Sequence, residues 1–198
     1  IDGLKRLEYR GYDSAGVAFF QNNEISVIKC RGRITALEDR VARYAGTGST
    51  SGIGHTRWAT HGEPSDLNSH PHLSRHGSIA VVHNGIIENY AELRTVLAEL
   101  GYICKTETDT EVIAHLVEYY YKEEGDLLCA VERARIRMHG SYALGILCRD
   151  NPGRIVAVRR DCPLIVGRAP DGYFIASDLP AILRYTQTYR PLEEYETA

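Results

Sequence analysis

Nineteen residues, GHTRWATHGEPSDLNSHPH from Gly54 to His72, concentrate groups that can bind or react. They include the chain's only Trp (Trp58), the guanidinium of Arg57, the hydroxyl of Thr60 and four of its eight His (His55, His61, His70 and His72). Gly, Pro, Asn and Ser break up the stretch, so it reads as a loop. Arg57 can grip a carboxylate through two parallel N–H donors. Taken alone, it reads better as a surface Arg paired with a neighbouring Glu. Asp109 offers the complementary chemistry, a carboxylate for an ammonium group, although it can equally be the N-cap of the helix that follows. An Arg and an Asp in one pocket would suit an α-amino acid. Spacing does not show that the two meet.

His83-Asn84-Gly85 follows a short apolar run. Asn-Gly is a common turn pair. Its chemical reading is an oxyanion hole, in which the Asn amide and the Gly N–H donate to an oxygen that gains negative charge. His55, His61, His70, His72, His76 and His83 raise the question of a metal. There is no H-E-x-x-H and no nearby Cys pair, so most of them read as hydrogen-bonding loop residues. The five cysteines (Cys30, Cys104, Cys129, Cys148, Cys162) are odd in number, widely spaced and free of any C-x-x-C, which fits reduced core cysteine. None sits beside a His or at a helix start, so none reads as an activated thiol. G-x-S-x-G is absent. These residues outline an amino-acid pocket with an oxyanion hole and no visible nucleophile.

The elements that must position these groups are legible in outline. Ile1, Leu4 and Leu7 recur at helical spacing with no cap before them, so the sequence reads as starting within a helix. Gly16–Phe20 and Ile25–Cys30 read as strands joined by the turn QNNE. Thr35-Ala-Leu-Glu38 matches a capping box opening a helix to about Ala45. GTGSTSGIG, 46–54, reads as a plain loop, since it lacks the Lys-Ser/Thr ending of a phosphate cradle. Ile79–His83 reads as a buried strand and Glu88–Leu100 as a helix stopped by Gly101. Tyr102–Lys105 is strand-like. Thr108-Asp-Thr-Glu111 opens a helix to about Tyr121, and a further helix runs from Asp126 to before Gly140. Ser141–Cys148, Arg154–Arg159, Leu164–Arg168 and Tyr173–Ser177 read as strands. Strands in antiparallel blocks with helices grouped between them imply an α+β fold.

The chain has 198 residues, 43% of them hydrophobic and 25% charged, and a net charge of −3. That suits one soluble domain, 1–198, able to bury about 70% of its unfolded surface. The charge gives no electrostatic case for nucleic acid or an anionic membrane. No apolar run approaches the roughly 18 residues that span a bilayer, and no stretch of the sequence reads as a signal peptide.

LEYRGYDSAG (7–16), HTRWATHG (55–62), HPH (70–72), VVHNGIIENY (81–90) and ETDTEVIAHL (107–116) stand in one order and register. Together they resemble the glutaminase domains of the glutamine–fructose-6-phosphate aminotransferases (isomerizing), and class II glutamine amidotransferases more broadly. The resemblance runs over essentially the whole chain. It implies an N-terminal-nucleophile hydrolase fold, a four-layer αββα sandwich of two antiparallel sheets between helix layers, here lacking the first strand. It implies hydrolysis of L-glutamine to glutamate and ammonia, with the ammonia passed to an isomerase half that converts fructose 6-phosphate to glucosamine 6-phosphate.

By motif, Arg57 would bind the glutamine α-carboxylate and Asp109 its α-amino group. Asn84 and Gly85 would form the oxyanion hole. Trp58, Thr60 and His61 would lie on the loop that closes over substrate, and Arg10 would support the nucleophile end of the site. The family nucleophile is an N-terminal Cys preceding the helix with which this sequence opens. The resemblance therefore places it upstream of Ile1 and implies that this chain alone is inactive. LEEYETA ends near the close of the family's domain, with Tyr195 where the family usually has Gly. No cofactor or metal is implied; a cytoplasmic homodimer is. A non-catalytic glutamine-binding regulatory module is the alternative.

Overall fold

Asn22 and Asn23 account for the first hairpin. Gln21 pairs with Glu24, so only two residues turn the chain, and their φ values of 50° and 63° lie where Asn is tolerated far better than most side chains. The computed structural model describes residues 1–44 and 48–198. Helix α1 (Asp2–Lys5) and a 3-10 turn (Glu8–Arg10) lead into the hairpin strands β1 (Ser14–Gln21) and β2 (Glu24–Arg31). Helix α2 (Ile34–Val41) and β3 (Gly52–Arg57) follow. Next come β4 (His72–Leu73), β5 (Ile79–Ile87), and helices α3 (Tyr90–Glu99), α4 (Thr110–Glu124) and α5 (Leu127–Arg137). Strands β6 (Gly140–Cys148), β7 (Ile155–Arg160), β8 (Ile165–Ala169), β9 (Gly172–Ala176) and β10 (Thr188–Pro191) complete the order.

All strand pairs between these elements are antiparallel. They form sheets β2-β1-β3, β10-β8-β9 and β4-β5-β6-β7. The period-two alternation of each strand sorts its side chains between two cores. From β5 and β6, Ile79, Val81, Leu144 and Ile146 join a core with α3, α4 and α5. Ala80, Val82 and Leu147 turn the other way and meet Ala18, Phe20 and Ile53 of the first sheet. Ala143 and Ala157 of the four-stranded sheet pack on Leu164 and Leu192 beside β8. The outer face of the first sheet carries Ala15, Ile28 and Cys30 against Ile34 and Leu37 of α2. The layers are therefore helices, the four-stranded sheet, the two three-stranded sheets side by side, and α1 with α2.

Several sequence expectations are corrected. Gly52 to Arg57 is a strand rather than the end of one loop and the start of another; its glycines disguised it. Gly46 and Thr47 of that expected loop, and the expected helix end at Ala45, lie outside the described residues. Asn84-Gly85 is no turn, since β5 runs through it to Ile87. Tyr102–Lys105 is not a strand: the N–H groups of Lys105 and Thr106 are taken by the Glu111 carboxylate. Thr35 does not cap α2. The cap position is Arg33, and Glu8 Oε1 accepts the Ile34 N–H at 2.9 Å. The short strands β4 and β10 were not foreseen. Tyr195 has φ 62°, a backbone state that suits Gly better, and the Arg160 guanidinium lies 5.6 Å over its ring.

Candidate active site

A cavity of about 770 Å³ opens between the sheets. All of β3 and Tyr173 to Ala176 of β9 line it. These two strands are the neighbouring edges of the two three-stranded sheets, and neither edge pairs with another strand among the described residues. Arg10, Arg57, Trp58, Thr60, His61, Asn84, Gly85 and Asp109 all line the same cavity. Groups up to 99 residues apart in sequence are thus brought to one place.

Ile53, His55 and Arg57 share one face of β3, and Ile53 sits in the inter-sheet core. Arg57 is 4% exposed. Its Nη2 donates to the backbone carbonyls of His61 and of Gly62 (3.0 Å), which curls the following loop round the guanidinium. Its Nη1 is buried with no hydrogen-bond partner among the described residues. Burial lowers its pKa, opposed by the charges of Asp13 and Asp109. A buried charged donor without an acceptor is costly, by about 1–3 kcal/mol or more, so this guanidinium has spare capacity for an anion at the cavity wall.

Asp109 is also 4% exposed. It stands at the N-cap position of α4, yet its side chain makes no cap bond there. Its Oδ2 instead accepts the Ile87 N–H at 2.9 Å and lies 3.9 Å from His83 Nδ1. Its carboxylate lies close enough to the Arg57 guanidinium to favour that group's charged form. The surface-Arg and simple N-cap readings are both set aside by this placement.

Gly85 has φ 122°, and a Cβ there would collide with the Ser141 backbone, so the cavity floor admits only Gly. Asn84 Oδ1 lies 2.8 Å from His55 Nε2. Arg10 reaches the end of β9, where Nη2 donates to Ser177 Oγ and Nη1 lies 3.7 Å from Asp178. Trp58 stands at the rim, 62% exposed, its ring edge-on to Tyr12 at 5.5 Å. Thr60 is exposed and His61 half-buried, its ring 5.1 Å from that of Tyr90.

Three contributions were missed by sequence reasoning. Asp13 accepts the Ala59 N–H and ties down the start of the loop after β3. It lies in the quoted EYRGYDS run, but an Asp before a strand has no distinctive signal. Ser177 receives Arg10. His55 of β3, His70 of the loop before β4 and His83 of β5 come together in one polar layer, in which His70 and His83 are buried. His70 stacks on His55 at 4.4 Å and accepts the His83 N–H at 3.3 Å, while Thr110 Oγ1 meets His83 and His70 at 3.0 and 3.3 Å. Desolvation lowers the pKa of His70, His72 and His83, and brings His55 to about 4, so these rings are neutral at pH 7. No group of three or more metal-binding side chains converges among the described residues. All five cysteines are free, and Cys162 borders the cavity with its thiol pushed up by burial, away from nucleophilic thiolate. No described helix is long and apolar enough to cross a membrane.

A buried guanidinium, a buried carboxylate and an amide beside a Gly N–H can bind an α-amino acid and stabilise an oxyanion on it. The sandwich of antiparallel sheets between helices is the fold of the N-terminal-nucleophile amidotransferases. Residues 55–184 match the glutamine amidotransferase domain model, and the chain belongs to that family. It is 57% identical over 198 residues to the glutamine–fructose-6-phosphate aminotransferase [isomerizing] of Caldanaerobacter subterraneus subsp. tengcongensis, covering 100% of this chain and 32% of that one. It is 58% identical over 196 residues to the enzyme of the same name from Clostridium perfringens, covering 99% and 32%. The chain spans the amidotransferase part of these relatives, about a third of their length. The fold is likewise that of the glutamine phosphoribosylpyrophosphate amidotransferase of B. subtilis, solved with ADP and GMP: TM-score 0.81, 28% identity, 99% of this chain and 42% of that one.

Proposed function

We propose that this domain hydrolyses L-glutamine to glutamate and ammonia, and that the ammonia serves conversion of fructose 6-phosphate to glucosamine 6-phosphate in a longer polypeptide. The observation that carries this reading is the pairing of buried Arg57, with its unpartnered Nη1, and buried Asp109 at one cavity with Asn84 and Gly85. Arg57 takes the α-carboxylate and Asp109 the α-ammonium, which points the side-chain amide towards Asn84 and Gly85. Trp58, Thr60 and His61 close the rim and exclude bulk water.

The nucleophile is a cysteine thiolate borne by a segment N-terminal to Ile1. The edges of β3 and β9, unpaired among the described residues, suit with the cavity between them an extended strand that joins the two sheets and brings its thiol beside Arg10. Sulfur attacks the amide carbon and the carbonyl oxygen becomes an oxyanion held by Asn84 and Gly85. The C–N bond breaks as nitrogen takes a proton and leaves as ammonia. Water then attacks the thioester, freeing glutamate and the thiol. The relatives' names and the 32% coverage support an isomerase half and fructose 6-phosphate as partners; the homodimer rests on the resemblance alone. Five free cysteines support a cytoplasmic setting.

Glutamate release from L-glutamine, measured on the natural full-length polypeptide and on this chain alone, tests the reading. Activity in the full-length form only is expected. Binding of glutamine without release in either would make the domain a glutamine sensor. Release by this chain alone, abolished by changing Cys162, would overturn the placement of the nucleophile.

A further inference from the structure

We propose that His55 is a positioning residue that fixes the Asn84 side-chain amide with its NH₂ presented to the cavity, beside Gly85. The proposal rests on the reading of Asn84 and Gly85 as an oxyanion hole. Backbone pairing aligns Asn84 with Ala143 but leaves its side-chain amide free to present either end. An amide turned the wrong way would set a carbonyl oxygen against the developing negative charge, so the donor would become a repulsive group.

His55 decides which end faces which way. Its Nε2 lies 2.8 Å from Asn84 Oδ1. The ring is held by stacking on His70, with centroids 4.4 Å apart and planes 21° off parallel, and His70 stacks in turn with His83 at 6.5 Å and 18°. Desolvation keeps the ring neutral, so it has one N–H. Nδ1 is buried with no hydrogen-bond partner among the described residues. A buried N–H without an acceptor is rarer and costlier than an unused lone pair. The proton therefore sits on Nε2 and is donated to Asn84 Oδ1, which leaves the amide NH₂ on the opposite side. Protonation on Nδ1 would reverse the amide.

The test uses the natural full-length polypeptide. Loss of an oxyanion donor costs about 10²–10³ in kcat, so His55→Ala, which frees rather than removes the donor, is expected to lower glutaminase kcat by about 10- to 100-fold. KM for glutamine should stay within about 3-fold, the mark of an interaction made only in the transition state. His55→Gln, which retains a side-chain N–H, should recover part of the rate. In an Asn84→Ala background, His55→Ala should cost nothing further. Multiplying losses in the double variant, or a His55→Ala defect seen in KM alone, would overturn the positioning role and leave the oxyanion hole standing. An unchanged kcat in Asn84→Ala would instead overturn the oxyanion hole itself. Imidazole ¹⁵N shifts of the unsubstituted protein give a second check that no folding defect can blur: Nε2 protonated is expected, and Nδ1 protonated sinks the proposal.

Discussion

Arg57 shows what a single residue conceals. In the sequence it stood in a polar, glycine-broken run, and its type alone favoured a surface ion pair. In the fold it is buried, wrapped by the carbonyls of His61 and Gly62, and left with donor capacity to spare. A hydrogen bond to a charged group contributes about 1.5–3 kcal/mol, so Arg57→Ala is expected to raise KM for glutamine about 10- to 100-fold in the full-length polypeptide. Arg57→Lys should not restore it, because an ammonium lacks the planar fork. An unchanged KM, measured by steady-state glutamate release, would remove Arg57 from the substrate. The site residues named from the resemblance all reach the cavity, whereas Asp13 and His55 needed coordinates: their roles lie in what they hold, and no spacing reports that.

At the scale of elements, the strands with regular alternation were legible and the irregular ones were not. β1, β2, β6 and β7 alternate between two cores and could be read to within a residue or two. β3 begins in a glycine-rich run, and β5 hides its last residues behind an Asn-Gly pair that reads as a turn. The start of α4 is organised by Glu111 rather than by a capping side chain at Asp109. Burial opposes its ionisation, but His115 and the N–H groups of Lys105 and Thr106 outweigh that and bring its pKa to about 2. Glu111→Gln keeps the shape and removes the charge. It is expected to destabilise the domain by about 2–3 kcal/mol, read as a lower urea midpoint at unchanged slope. A loss below about 0.5 kcal/mol would place it with ordinary surface substitutions and reject the assigned role.

For the whole molecule, element order was enough for the α+β class. The division of one layer into β2-β1-β3 and β10-β8-β9 was not visible, because it depends on which edges find partners. The buried imidazoles set the response of the whole to acid. Their folded pKa values lie below those of exposed His (His55 at about 4), so the unfolded chain binds more protons between pH 6.5 and 4. Stability is then fully present above pH 6.5 and falls as pH drops through that window, each ring contributing up to about 1.4 kcal/mol per pH unit. Glu111, depressed to about 2, adds its own loss only below pH 4.5. Thermal melts of the domain should thus show Tm declining already between pH 6.5 and 5. A Tm flat to pH 4.5 would mean that the imidazoles are not buried neutral. The two strand edges along the cavity, unpaired among the described residues, carry a different consequence. Exposed edge N–H and C=O groups beside apolar walls recruit any extended peptide, including a neighbour's. Until that seam is filled, self-association grows with concentration, and heating a concentrated sample is expected to zip copies together along the seam that the nucleophile-bearing strand would otherwise occupy.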